Sequence, residues 1–361
     1  MHMYRDYPHG TLFSSCFRKL HSKAAGPPKL FEEIKDFDAD LALQLENLKP
    51  KEDEGSKILR LTWLSGVLAL ALDKHIEAVS LIPPLDFPLL VCDENWMNEY
   101  MDQTARMLDV CNALSGSLSN IEQGHLLIRH ACHVLLEAED SSLKQEAPSS
   151  DAQFLKDQLV RARKSLQEWV NLQVLSGPSS PKYSPIFQDM IKDLRPPRER
   201  DLRKGKCFLF ALYGANAVAV FAFFVLALAV FQESELFSFT ISIAPEILWS
   251  ASISRLVQLA KDEARMQTGF IVCFEELIAL ESSVKGLLSL IEQALDLNES
   301  PSSEGLTINL GGAASDLCSQ MEDIAKGLEV LGTKLNEMFK AIVTSRSSLL
   351  DKLGDFGTEN L

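Results

Sequence analysis

The chain has 361 residues, of which 46% are hydrophobic and 24% charged, with a formal net charge of −15 at pH 7. This length allows one large domain or two ordinary ones, and the hydrophobic content is enough for a packed core. The negative charge argues against a general nucleic-acid binder, because such proteins spread lysine and arginine along one face to neutralise phosphates.

The N-terminal segment, residues 1–28, is mildly basic and ends at Gly26-Pro27-Pro28. It lacks the continuous apolar core of a secretory signal peptide, so we do not expect secretion. Its composition is compatible with a plastid or mitochondrial transit peptide and equally with a disordered tail, which is the commoner case. The seven cysteines of the chain are scattered and form no Cys-x-x-Cys pair. A reducing compartment is the simpler interpretation of that pattern.

Residues 29–195 predict an N-terminal helical bundle, because apolar residues recur at steps of three and four. Prolines and polar linkers separate the periodic stretches. The predicted helices cover about 30–48, 56–81, 93–114, 118–138, a stretch that begins near Asp151, and 186–194.

The most distinctive stretch is residues 207–231, which hold 25 residues without a charge. A basic linker, residues 196–206, precedes it, and the lead-in 195–206 carries six Lys/Arg residues. As a helix the stretch would be about 37 Å long, enough to cross a hydrocarbon core of about 30 Å. The basic flank would then lie on the cytoplasmic side.

A buried core helix is the alternative for the same stretch. The fully apolar part, residues 217–231, is only 15 residues long, which is more usual for a core helix than for a membrane span. A helix that is apolar all round fits either setting, so the sequence leaves a single-pass span and a central core helix open. The basic stretch 195–206 would also attract anionic lipid headgroups without any span.

Residues 232–361 predict long C-terminal helices, packed with the N-terminal part as one domain. The first pattern opens at Pro245 and continues to Leu295, a Ser/Gly-rich loop follows over 298–315, and a last helix of about 40 residues completes the chain. Two short β-like runs, Phe237–Ile243 and Leu306–Leu310, are too isolated to build a sheet. The predicted class is all-α, a bundle of long antiparallel helices with one central, very apolar helix.

The densest polar cluster is His125, His130, Cys132 and His133. His130 and His133 are three residues apart and could share one metal, but the remaining ligands are absent nearby and the spacing matches no compact zinc motif. We therefore predict histidines on a partly buried face and no metal site. The sequence also holds no nucleophile elbow, phosphate-binding loop or metalloprotease motif, so we predict no catalytic residue, no cofactor and no enzymatic activity.

Seven short runs resemble the plant BYPASS family in order and spacing, over nearly the whole chain. They are Lys29–Phe31, Arg60–Trp63, Asp93–Asp102, Leu108–Ala113, Gln123–Leu127, Ala211–Gly214 and Ser345–Leu350. The resemblance implies a plant developmental protein, because family members restrain production of a root-derived, carotenoid-linked mobile signal that arrests shoot and leaf growth. No catalytic residue is carried over by it.

The resemblance leaves three functions open, all with proteins or small molecules as partners. The first is a non-enzymatic helical regulator held at a membrane or plastid surface. The second is an adaptor that binds an exocyst subunit, since relatives in the wider group are linked to exocyst-dependent secretion and acidic helices could pair with a basic partner. The third is a binder of an isoprenoid-like small molecule, which an apolar bundle can enclose.

Overall fold

The computed structural model describes residues 28–50, 57–82, 95–144, 151–175, 182–198, 208–231, 233–267, 274–296 and 304–359. Residues 1–27 and most of the basic linker lie outside this part of the chain. The described residues form nine α-helices and no strand, which confirms the predicted all-α class. The helices are α1 (Pro28–Asn47), α2 (Leu61–Ser80), α3 (Asn95–Lys144), α4 (Asp151–Leu175), α5 (Ser184–Asp193), α6 (Phe208–Val230), α7 (Ser250–Met266), α8 (Glu275–Asp296) and α9 (Glu304–Glu359).

The apolar helix α6 lies at the centre, as predicted. It packs against α1, α2, α3, α5 and α7. All its side chains are buried except those of Leu209 and Asn216, which are partly exposed. By length and composition α6 is the one helix among the described residues that could cross a membrane, and 89% of its most apolar window is buried inside the fold.

Aromatic contacts bind α6 to its neighbours along its whole length. Near its start, the Phe208 ring meets the Trp96 ring of α3 edge-on, with 5.3 Å between centroids. Further along, Phe221 meets Trp63 of α2 in the same way at 6.5 Å. Close to its end, Phe231 stacks on Tyr183 at 4.5 Å. Such pairs add about 0.5–1.5 kcal/mol each to the free energy gained by burying the rings.

Around this core, α3 and α9 form the longest helix pair. They run antiparallel, because Tyr100 near the start of α3 contacts Ser345 near the end of α9. On its other sides, α9 packs against α2 and α8, and α4 packs against α3 and α8. The N-terminal and C-terminal helices are therefore in direct contact.

The predicted break near residue 116 was wrong, because α3 is one continuous helix of 50 residues. A Cβ atom placed on Gly116 would meet nothing within 4 Å, so this glycine faces open space. Glycine at this position destabilises the helix by about 1 kcal/mol relative to alanine. The buried side chains of Leu114, Leu118 and Ile121 on either side outweigh that cost.

Two predictions about the C-terminal helices were also wrong. The loop predicted over 298–315 gives way to helix at Glu304, since Leu310, Ala314 and Leu317 continue the buried stripe of α9. The long pattern from Pro245 to Leu295 is two helices, α7 and α8. The β-like run Phe237–Ile243 overlaps the end of a short 3₁₀ helix, Ser234–Ser238, and continues without regular secondary structure, and the second run, Leu306–Leu310, lies within α9.

Gly327 marks the closest approach of α9 to α2, and it gives a first prediction. A Cβ atom at this position would lie 2.8 Å from Cδ1 and 3.2 Å from Cβ of Leu61. Because the Leu61 Cβ is fixed to the backbone, Gly327→Ala should push the two helices apart and cost about 1–3 kcal/mol of unfolding free energy in urea. Gly332→Ala, in open space on the same helix, is the matched control and should gain up to about 1 kcal/mol. Equal stability of the two variants would contradict the packing described.

Candidate functional site

The histidines singled out from the sequence point to different neighbours. Nδ1 of His130 lies 3.2 Å from the hydroxyl of Ser165 on α4, and Nδ1 of His133 lies 3.4 Å from Glu137 on its own helix. Both rings are exposed. Within the described ranges, no group of three or more His, Cys, Asp or Glu side chains is placed to hold a metal ion.

His125 and Cys132 are buried instead. Burial, with a smaller contribution from Arg129, lowers the pKa of His125 to about 4, so its ring is neutral at physiological pH. Its Nε2 and the Nε1 of Trp169 are both buried without a hydrogen-bond partner in the part of the chain that is described. Trp169 packs over Gly124, where a Cβ atom would lie 3.3 Å from the indole. This is a helix-packing contact between α3 and α4.

A buried polar cluster joins α2, α3 and α9. The Ser345 hydroxyl donates to the Ile342 carbonyl at 2.9 Å and accepts a hydrogen bond from the Tyr100 hydroxyl at 2.8 Å. Nε2 of His75 lies 3.1 Å from the same Ser345 oxygen. One turn along α3, Thr104 receives a hydrogen bond from Arg346 at 2.6 Å, and the same guanidinium contacts the Met101 carbonyl.

The chemistry of this cluster differs from that of a serine nucleophile. The Ser345 hydroxyl donates to the Ile342 carbonyl, and its oxygen is shared between the Tyr100 hydroxyl and Nε2 of His75, so it is held in a network that joins helices. His75 is 2% exposed and Ser345 is 6% exposed, which leaves little room for a substrate. Burial lowers the pKa of His75 to about 4 and raises that of Tyr100. The arrangement fixes the register of three helices through the neutral hydrogen bonds around Ser345 and the charged guanidinium of Arg346.

Only an indirect signal for this cluster is visible in the sequence. Tyr100 lies in the run Asp93–Asp102 and Ser345 in the run Ser345–Leu350, two of the runs that resemble the BYPASS family. Nothing in the local spacing of either run shows that they meet, since 245 positions separate the two residues.

A second polar site anchors the start of α2 to α7 and α8. The Glu263 carboxylate accepts hydrogen bonds from the backbone N–H groups of Ile58 at 2.6 Å and Leu59 at 3.1 Å. Glu276 accepts from the N–H of Leu61 at 3.0 Å, in the first turn of α2. Burial raises the pKa of Glu263, and the two N–H groups partly oppose that rise. Acidic groups suit this place, because a helix N-terminus carries unpaired N–H groups and a positive dipole end.

Protonation of His75 should destabilise the protein as the pH falls. Its pKa is lowered from 6.5 to about 4 by burial, so between these values the unfolded chain binds more protons than the folded one. Stability is therefore complete above pH 6.5 and is lost toward pH 4, by up to about 3 kcal/mol at about 1.4 kcal/mol per pKa unit. His75→Gln keeps an amide donor for Ser345 and does not titrate. Its unfolding free energy should fall less steeply over this range.

Comparing the wild type with His75→Gln isolates the contribution of His75 protonation to the free energy of unfolding. Burial raises the pKa of Asp38 to about 6, which makes stability fall as the pH rises from about 4 to 6, and that contribution is the same in both. The measurement is urea unfolding at half-unit steps from pH 4.5 to 7.5. Parallel curves for the wild type and His75→Gln would show that His75 titrates normally.

Comparisons with known proteins confirm the resemblance to the BYPASS family. Protein BPS1, chloroplastic, from Arabidopsis thaliana is 26% identical over 99% of this chain and 94% of its own length. UPF0496 protein 4 from Oryza sativa subsp. indica is 30% identical over 72% of this chain, and the match spans about half of that protein, 54%. The family model Protein ROH1-like matches residues 179–353. No solved structure matches the chain.

The family-model match covers one side of the buried cluster. It includes Ser345 and Arg346 of α9 as well as the whole of α6, whereas Tyr100 and His75 lie outside it. The similarity to BPS1 covers both sides of the cluster, since it extends over 99% of the chain.

Proposed function

We propose that this relative of the BYPASS proteins is a non-enzymatic plant regulator, which restrains production of a root-derived mobile signal that arrests shoot and leaf growth. The observation that carries the proposal is similarity to BPS1 over 99% of the chain. The structure supports a role in recognition, because the two polar sites described above connect helices and are buried. The long helices also present exposed faces.

Grafting tests the regulatory role. Plants that lack this chain and its relatives should arrest wild-type shoots grafted onto their roots, and expression of the full chain in the roots should restore shoot growth. Normal shoots on such roots, after all relatives are removed, would contradict the proposal.

Variants of the buried cluster test the non-enzymatic part. Ser345→Ala and His75→Gln, expressed in the same roots, should restore growth in proportion to the amount of folded protein. Gly327→Ala is the matched control, since it affects stability through Leu61, which lies outside the buried cluster. Loss of function with normal protein level in Ser345→Ala alone would point to catalysis by this serine.

We also propose that α6 stays in the bundle and that any membrane contact is peripheral, through the basic stretch 195–206. Its six Lys/Arg residues contrast with the net charge of −15, and Arg195 and Arg198 are exposed. Each basic residue near an anionic surface is worth about 1 kcal/mol. The full chain should bind vesicles with 30% phosphatidylserine at low salt and lose them at high salt. Replacement of the six residues by glutamine should abolish binding, and salt-resistant binding would contradict it.

A plastid location is the proposed site of action, since the BPS1 relative is named chloroplastic. A fluorescent fusion at the C-terminus of the full chain should accumulate in plastids. The same fusion without residues 1–28 should remain outside them. Identical distributions of the two fusions would show that this segment is not a transit peptide.

Binding of an exocyst subunit is a second candidate, favoured by the acidic surface of α9. Glu322 and Glu329 lie seven residues apart on one exposed face, with Asp316 on the adjacent row, whereas Asp323 and Glu337 of that row pair with Lys326 and Lys334. Such a surface steers a basic partner and depends on salt. A pull-down at low salt should capture the subunit, and Glu322→Lys with Glu329→Lys should release it. Glu292→Lys on α8 is the control, and failure of the wild type to capture any exocyst component would exclude this function.

A further inference from the structure

Two thiols meet across the longest helix pair. Cys132 lies on α3 and is fully buried, and Cys318 lies on α9 and is partly exposed. Both are free cysteines, and the two side chains are within hydrogen-bonding reach of each other. Of the two, only Cys318 is in contact with solvent.

The register of α3 and α9 places these residues opposite one another independently of that contact. Arg346 of α9 bonds to Thr104 of α3. Cys132 lies 28 residues after Thr104 on α3, and Cys318 lies 28 residues before Arg346 on α9. Both steps are therefore the same multiple of seven residues. In two antiparallel helices that wind around each other, such a step returns both chains to the facing side.

We propose that Cys132 and Cys318 are a redox-active dithiol, which closes to a disulfide and locks α3 to α9. Hydrogen peroxide is the oxidant class. The Cys318 thiol loses its proton to solvent, and the thiolate attacks one peroxide oxygen. The O–O bond breaks, Cys318 becomes a sulfenic acid, and the hydroxide that leaves takes a proton from solvent to give one water. The Cys132 sulfur then attacks the Cys318 sulfur, the S–O bond breaks, the S–S bond forms, and a second water leaves with the Cys132 proton.

The environment of each thiol sets the order of the two steps. Cys318 is accessible and reacts first, whereas burial raises the pKa of the Cys132 thiol and shields it from the oxidant. Reduction takes a different course, by exchange with a small dithiol. Its thiolate attacks the exposed Cys318 sulfur, the S–S bond breaks, and Cys132 leaves and takes up a proton. The second thiol of the dithiol then displaces Cys318, which leaves as a thiol while the dithiol becomes a disulfide. In a reducing compartment the pair rests as two thiols, and an oxidant burst closes it.

Peroxide treatment of the folded full chain tests the proposal. Peptide mapping without reductant should find the Cys132 and Cys318 peptides joined, and the thermal midpoint should rise by several degrees, because the cross-link restrains a long segment of the unfolded chain. Dithiothreitol should reverse both changes. The disulfide constrains the unfolded state, so neither change requires that any partner be present.

Three variants complete the design. Cys318→Ser and Cys132→Ser should each lose the thermal shift, whereas Cys111→Ser, which removes another buried thiol of α3, should keep it. Absence of the joined peptide in the oxidised wild type would overturn the proposal, even if a variant fails to fold. A thermal shift that persists in Cys318→Ser would overturn it as well.

Discussion

Replacing Phe224 with alanine should destabilise the whole protein by about 3–5 kcal/mol. The Phe224 side chain is fully buried in the C-terminal half of α6. Its ring meets Phe187 of α5 edge-on at 6.1 Å between centroids, and Nζ of Lys261 on α7 lies 5.7 Å from its centroid. Truncation would leave a cavity between three helices, which a close-packed interior cannot refill. Urea unfolding followed by circular dichroism measures the loss.

Phe154→Ala is the matched control, because this ring is 47% exposed on α4. Its effect should stay within about 0.5 kcal/mol. The comparison also separates the two interpretations of α6 that the sequence left open. If α6 crossed a bilayer, acyl chains would occupy the space left by the Phe224 ring. The other helices, which would lie in water, would then unfold at the same urea concentration in Phe224→Ala as in the wild type.

Replacing Glu263 with alanine should cost about 2–6 kcal/mol, since it leaves two buried N–H groups without their acceptor and each costs about 1–3 kcal/mol. These are the N–H groups of Ile58 and Leu59, which precede α2. Glu263 itself is 8% exposed, so water has little access to replace the carboxylate. The start of α2 should detach from α7, with faster hydrogen exchange at both amides.

Glu263→Gln separates the hydrogen bonds from the charge. The amide oxygen can still accept, and the neutral side chain avoids the cost of burying a charge, so most of the stability and the amide protection should remain. Glu292→Ala, exposed on α8, controls for the loss of a glutamate and should change little. Equal losses for Glu263→Ala and Glu292→Ala would contradict the anchoring role.

The helical class and the apolar character of α6 could be predicted because both depend on local patterns, whereas the choice between a core helix and a membrane span could not. The stripe of α1 through Ile34, Phe37 and Leu41 and the unbroken apolar run of α6 are visible in the sequence. Helix ends were harder, since Gly116 signals a break that packing overrides. The start of α9 was missed for the same reason, because serine and glycine lower helix propensity while Leu310 and Ala314 supply burial.

The polar contacts between helices could not be predicted, because they depend on the register of distant segments. Glu263 resembles any solvated carboxylate of an amphipathic helix until α2 is placed beside it. Cys132 likewise reads as a small apolar residue until Cys318 is known to face it. The family resemblance identified the runs that contain Tyr100 and Ser345, without showing that these two side chains meet.

Carbonate extraction of membranes from cells that express the full chain tests most directly whether α6 is the core of the bundle. Alkaline carbonate strips proteins held by charge and leaves those whose helices cross the bilayer. A core helix wrapped by α1, α2, α3, α5 and α7 predicts that all of the protein moves to the supernatant. Retention in the pellet, alongside a single-pass marker, would contradict it and would place α6 in the membrane.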